Sequence, residues 1–169
     1  MKRILITGMS GTGKSTVVEG LAARGFKAVD ADGDEYSEWA PSTLASDAFG
    51  PPVQPDRDWV WREDRVEELL STEDSDVLFV SGCAENMGQF MPRFDHVVLL
   101  SAPAEVIAGR LRVRTNNPYG KRPEEVARTL SLIQTVEPLL RRVADSEIDT
   151  SACLEDVVEH LVRLARSQA

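Results

Sequence analysis

Gly8-Met9-Ser10-Gly11-Thr12-Gly13-Lys14-Ser15-Thr16 is the stretch from which the rest of the chain is read. It fits the pattern G-x-x-x-x-G-K-[S/T], and its flanks suit that pattern. Upstream, Ile4-Leu5-Ile6-Thr7 is a short apolar run of the kind that forms a buried parallel strand. Downstream, Val17, Val18 and Leu21 recur at helical spacing, and Gly25 follows as a C-terminal stop. Strand, glycine loop and helix therefore stand in the order a phosphate loop requires. Glycines let successive backbone N–H groups turn inward as a nest for phosphate oxygens. The N-terminus of the helix adds partial positive charge, worth about 0.3–1 kcal/mol near a surface. Gly8, Ser10, Gly11, Thr12, Gly13 and Thr16 are read as the cradle, with Lys14 reaching the β- and γ-phosphates. The Ser15 hydroxyl is read as a ligand of Mg²⁺. The stretch predicts a site for a nucleoside triphosphate.

Working outward, Phe26-Lys27-Ala28-Val29 reads as a second strand that ends in the acidic turn Asp30-Ala31-Asp32-Gly33-Asp34-Glu35. Ligands of open α/β sheets bind beyond the carboxyl ends of the strands. Carboxylates placed there can support Mg²⁺ through water or accept a proton from an alcohol. A solvated acidic turn is the alternative. Asp30 and Asp32 flank one residue, so an extended backbone would point both carboxylates the same way.

From Trp39 to Asp58 the chain changes character, because Pro41, Gly50, Pro51, Pro52 and Pro55 exclude a continuous helix and break up any central strand. The expectation is a long loop, taken as an acceptor loop over about residues 36–58, which Trp39, Trp59 and Trp61 either wall or pin to the core. An amphipathic helix is predicted from Trp61 through Leu70. The apolar run Val77-Leu78-Phe79-Val80 predicts a central strand, ending in the small-residue turn Ser81-Gly82-Cys83. Cys83 is read as a packing residue rather than a nucleophile. His96-Val97-Val98-Leu99-Leu100 is the next strand, with His96 a structural residue at its edge.

A helix from about Pro103 then runs into Arg110, Arg112 and Arg114, followed by the turn-rich Asn116-Asn117-Pro118-Tyr119-Gly120 and by Lys121 and Arg122. A basic segment in an acidic chain is read as a flap, about residues 114–122, that brings guanidinium groups onto a transferring phosphoryl group. A solvated helix end is the alternative. A long helical segment from Pro123, divided near Pro138, a short strand at Ile148-Asp149-Thr150 and a terminal amphipathic helix from Leu154 complete the chain. Alternation of strand and helix predicts a three-layer α/β/α fold with a short, mainly parallel five-stranded sheet, in one domain over residues 1–169.

Composition bounds the partners. The formal net charge of −9 over 169 residues argues against a broad nucleic-acid surface. Hydrophobic residues at 42% and charged residues at 28% suit a globular chain. Cys83 and Cys153 lack metal-like spacing, and no stretch is long enough to span a bilayer. A cytoplasmic protein that takes a small-molecule acceptor, with neither nucleic acid nor membrane as partner, is expected.

The order of elements resembles the small phosphate-loop kinases of metabolites and nucleotides, above all the shikimate kinase group, along nearly the whole chain. Asp30-Ala31-Asp32 is similar to that group's Asp-x-Asp. The resemblance implies that Asp30 supports Mg²⁺ through water and that Asp32 meets the acceptor hydroxyl. Trp61-Arg62 resembles the group's Phe-Arg, implying that Arg62 grips substrate. Ser81-Gly82-Cys83 stands where the group has a run of glycines touching substrate, which brings in Gly82. Arg122-Pro123 resembles the flap Arg-Pro, and Asp149-Thr150-Ser151 resembles the turn near adenine. Lys14, Asp32 and Arg122 are thereby implied as catalytic, and Arg114 as a phosphate contact. The departures bear on substrate. Glu137-Pro138-Leu139-Leu140 falls where the group places its second carboxylate grip, and the glycine run is incomplete. The implied activity is transfer of the γ-phosphoryl of ATP, with Mg²⁺, to a small acceptor other than shikimate. A nucleotide-dependent switch is the alternative. No Asn-Lys-x-Asp guanine signature is present, which favours ATP.

Overall fold

The computed structural model describes residues 1–41, 57–115 and 118–167. Its centre is a parallel sheet built from β1 (Lys2–Thr7), β2 (Lys27–Asp30) and, further along the chain, β5 (Val77–Ser81), β6 (His96–Ser101) and β7 (Ser146–Asp149). The strand order is β2-β5-β1-β6-β7, so the chain crosses from one side of β1 to the other between β5 and β6. A topological switch of this kind opens a crevice at the carboxyl ends of the strands, where the phosphate loop follows β1.

Alternation along the strands divides the core between two faces. Ile4, Ile6, Phe79 and Leu100 pack against Val17 and Leu21 of α1 (Lys14–Ala23) and against Val157, Val158 and Leu161 of α6 (Leu154–Arg166). Leu5, Val80 and Leu99 face the other way, toward Val66, Leu69 and Leu70 of α2 (Glu63–Ser71) and Phe90 of the 3₁₀ segment Met87–Arg93. Each fully buried aliphatic or aromatic side chain contributes roughly 1.5–3 kcal/mol by leaving water. The sheet is thus sandwiched between helices, and the fold is the three-layer α/β/α arrangement that the sequence predicts, with all five strands parallel.

Three local expectations change. The helix expected from Trp61 begins at Glu63, because Trp61 ends a strand. The segment read as irregular from Trp39 contains an antiparallel hairpin, β3 (Ser37–Pro41) with β4 (Arg57–Trp61), in which Trp39 pairs with Trp59 and Ser37 with Trp61. Pro41 is tolerated because β3 has one neighbour among the described residues and needs no donor on its other edge. Residues 42–56, most of the expected acceptor loop, lie outside the described residues. The long helix expected from Pro123 is divided at Val136, two residues before Pro138, into α4 (Pro123–Thr135) and α5 (Glu137–Val143). Pro138 has no N–H and so fits only the first turn of a new helix.

Candidate active site

The loop between β1 and α1 takes the backbone its glycines allow. Gly8, Gly11 and Gly13 all have positive φ, at 149°, 88° and 96°. Gly13 also occupies the N-cap position of α1, so the free N–H groups of the first helical turn open into the loop. Thr12 is fully buried and donates its hydroxyl to the Met9 carbonyl at 2.8 Å, tying the loop's two limbs. The Lys14 ammonium reaches back along the loop to the Gly8 carbonyl at 2.8 Å.

The two carboxylates of the acidic turn part company. Asp30, the last residue of β2, accepts the Ser15 hydroxyl at 2.6 Å through Oδ2 and the Asp32 N–H at 3.1 Å through Oδ1. Asp32 lies past the strand end, where the chain is no longer extended, and its carboxylate turns toward the end of β5. There the Cys83 N–H donates to both of its oxygens, at 2.9 and 3.2 Å. Lys14 Nζ stands 3.7 Å from Asp32 Oδ2. Burial raises the Asp32 pKa above the ordinary carboxylate value, with Asp30 adding to the rise and Lys14, Cys83 and Trp61 opposing it. The expectation that both carboxylates point together therefore fails, and each has its own set of donors.

Gly82 is required by the same packing. A Cβ there would lie 2.6 Å from Trp61 Cζ2 and 2.8 Å from Asp32 Oδ1. The Cys83 thiol is pushed to higher pKa by burial, in keeping with a packing residue.

Residues that could hold a divalent cation are the Ser15–Asp30 pair and a hydroxyl the sequence reading missed. Ser81 is in register with Asp30 on the neighbouring strand, so both side chains leave the same face of the sheet. That face carries α1. Ser81 Oγ is buried and has no hydrogen-bond partner among the described residues, which fits a water of a hydrated ion at this point. No cluster of three His, Cys, Asp or Glu side chains is present among the described residues. Such a site fits Mg²⁺, which is held by one or two carboxylates together with substrate phosphates rather than by an all-protein cage.

Basic groups close the other side. Arg114 donates to the Ser10 hydroxyl of the phosphate loop at 3.2 Å and to the Tyr119 carbonyl, and its guanidinium lies 6.0 Å from the Tyr119 ring centre. Burial lowers its pKa, opposed by Tyr119 and Glu125. Lys121 donates to the carbonyls of Arg112 and Arg114. The described residues of the flap are thus folded onto α3 (Ala104–Val113) and the phosphate loop. Arg122 instead caps α4: its N–H and that of Gly120 donate to the Glu125 carboxylate, and its side chain is exposed. Arg110 is a second residue the sequence reading left as part of a basic run. Its guanidinium donates to the Thr150 hydroxyl at 2.9 Å and carbonyl at 2.6 Å, joining α3 to the turn after β7. Its position one turn ahead of Arg114 was the available signal.

The acceptor side is lined differently from the resemblance. Arg62 stands at the N-cap of α2, with Nε 3.3 Å from the Ser37 carbonyl and 3.7 Å from Glu38 Oε2. Glu137 is buried and paired to Arg141 at 2.8 Å. Glu85 is raised in pKa by burial and by Asp58, with Arg128 opposing.

A family model described as an AAA domain matches residues 4–131. No curated protein matches the chain in sequence. Solved structures do match. Shikimate kinase from Acinetobacter baumannii, in complex with shikimate, is 20% identical, with a TM-score of 0.65 over 99% of this chain and 94% of that one. A gluconokinase from Sinorhizobium meliloti 1021 is 23% identical, with a TM-score of 0.61 over 98% and 94%. Shikimate kinase from Bacteroides thetaiotaomicron is 20% identical, with a TM-score of 0.64 over 96% and 97%. At these identities the likeness is one of fold.

Proposed function

The chain belongs to the AAA domain family, and from that membership we propose that it is an ATP-dependent phosphotransferase acting on a hydroxyl of a small molecule. The observation that carries the reading is Asp32. Its half-buried carboxylate is held by the Cys83 N–H groove at the end of β5, 3.7 Å from the phosphate-loop lysine. A nucleotide site needs no carboxylate there, whereas proton acceptance beside a transferring phosphoryl group does.

In this reading the loop N–H groups and Lys14 bind the β- and γ-phosphates and neutralise charge as the γ-phosphoryl moves. The Ser15 hydroxyl and, through water, Asp30 would hold Mg²⁺, which would supply Lewis-acid neutralisation of the phosphate charge. Asp32 takes the acceptor's proton while the acceptor oxygen bonds to phosphorus and ADP leaves. Arg114 shields the phosphates from the flap side, and Arg122 is brought to them only if the flap rearranges. Gly82 lets the Trp61 ring lie against Asp32, walling the acceptor position.

An acceptor carrying a carboxylate is disfavoured. Arg62 is engaged by Glu38 and the Ser37 carbonyl, and Glu137 with Arg141 replaces the second grip expected of shikimate kinases. Screening a library of small polyols, sugars and nucleosides with ATP and Mg²⁺, scored as ADP release above the acceptor-free rate, tests the proposal. Slow hydrolysis that no acceptor accelerates would overturn it in favour of a nucleotide-dependent switch.

A further inference from the structure

Two indole N–H groups from the β3–β4 hairpin converge on Asp32. Trp59 Nε1 donates to the Asp32 carbonyl at 3.1 Å, and Trp61 Nε1 donates to Asp32 Oδ1 at 3.5 Å. Trp61 is itself fixed from every side. Its backbone N–H donates to the Asn86 side chain at 2.8 Å, and the Asn86 amide donates back to the Trp61 carbonyl at 2.8 Å. Its ring is 1% exposed and lies against Phe90 with centroids 5.6 Å apart. A side chain held this firmly presents its N–H in one direction.

Packing accounts for the bicyclic ring, which fills the space between Phe90 and Gly82. The N–H is the part that packing leaves unexplained, and it is directed at the carboxylate. We propose that Trp61 is a positioning residue for Asp32. The Trp61 N–H adds a donor to Oδ1, the oxygen nearer the Cys83 N–H, and so turns Oδ2, which the Cys83 N–H reaches at 3.2 Å and which faces Lys14, toward the acceptor's proton. Trp59 fixes the main chain of the same residue through its carbonyl. The hairpin inserted between β2 and α2 thereby orients the base, and the acceptor pocket and the base are set by one element. The inference rests on Asp32 as the proton acceptor.

The other charged and titratable groups facing Asp32 are Lys14 from α1, Asp30 from β2 and the Cys83 thiol beyond β5. Trp61 is therefore altered with those residues intact. Trp61→Phe deletes the N–H together with part of the bicyclic ring, so it is compared with benzothienylalanine at the same position, which keeps a bicyclic ring and carries sulfur in place of the N–H. At one fixed pH, in protein without nucleotide or acceptor, the Trp61 indole proton resonance of the native chain is expected to move upfield in Asp32→Ala, which removes the accepting oxygen. With an acceptor in hand, Trp61→Phe is expected to lower kcat about tenfold with KM for ATP unchanged, because the base is misaligned rather than removed.

An indole resonance that does not move in Asp32→Ala overturns the proposal, as does an unchanged kcat in both Trp61 variants. The NMR readout does not depend on whether the chain transfers phosphate. A failed acceptor screen beside a moved indole resonance would therefore overturn the kinase reading and, with it, the catalytic meaning of Trp61.

Discussion

Asp32 shows how burial turns an ordinary side chain into a reagent. Its pKa is raised, so the folded chain holds the proton more tightly than the unfolded chain does. Two consequences follow in opposite senses. Folding stability from this group is greatest at acid pH and declines as pH rises from the usual carboxylate range through the raised value. Transfer needs the ionised form, so the acid limb of the kcat profile is expected above the ordinary aspartate range. Asp32→Asn should remove that limb, cut transfer by about 10²–10⁴ and leave nucleotide affinity nearly intact. A pH–rate profile with an isothermal binding titration checks both. Gly82→Ala should act through the same carboxylate. The added methyl meets a Trp61 ring that cannot retreat, so Asp32 must move. The expected cost is about 1–3 kcal/mol of stability with a loss of about 10² in turnover, measured by thermal melts and kinetics together. The phosphate-loop residues and Asp30 were legible because glycine, lysine and serine at fixed spacing have few other uses. Ser81 was not, since a lone serine after an apolar strand carries no spacing signal, and Arg110 was hidden in a run of arginines although it stands one turn ahead of Arg114.

Elements are where the sequence reading lost most. The β3–β4 hairpin is short, carries Pro41 at its edge and is joined by the proline- and glycine-rich stretch that had suggested a loop throughout. Strand pairing between such distant segments depends on Trp39 meeting Trp59, an edge-to-face contact with centroids 5.0 Å apart that no local pattern announces. The break between α4 and α5, by contrast, was legible from Pro138. That junction is held by Arg141, whose guanidinium joins buried Glu137 to Glu147. Hydrogen bonding to Arg141 lowers the Glu147 pKa. Arg141→Ala would leave the Glu137 carboxylate buried without a partner on either oxygen. Because Arg141 is itself half exposed, the loss should be roughly 2–3 kcal/mol, below the range of a fully buried pair. Denaturant melts should show most of that loss vanish in a Glu137→Leu background. The flap makes a separate claim. Gly120 has φ 89° and lies where a Cβ would meet Leu111 Cδ2 at 2.8 Å. Gly120→Ala should undock the segment from α3, raising amide exchange over the described residues 118–122 and weakening the response of that exchange to an ATP analogue.

At the scale of the molecule, the parallel sheet and its two helical layers followed from the βα alternation, because a parallel strand must be covered on both faces and therefore reads as continuous apolar sequence. The strand order was not in the pattern. Neighbours in the sheet are set by which apolar faces meet, and β1 lies between β5 and β6, both far along the chain. The layer beneath the phosphate loop has the longest span of all. Val17 and Leu21 of α1 are buried against Val157, Val158 and Leu161 of α6. Lys2 completes the join by donating to the Leu164 and Ala165 carbonyls at the far end of α6.

That join has a meaning for the order in which the chain is made. A ribosome releases α6 more than a hundred residues after the phosphate loop, so α1 emerges with one side uncovered and waits through all the intervening synthesis. A nascent chain stalled before Leu154 should bind a fluorescent ATP analogue far more weakly than one extended past Arg166 with a tether clear of the exit tunnel. Equal binding in the two would mean that the loop matures without its last helix. Competence for nucleotide would otherwise wait on a helix made long after the loop that binds it.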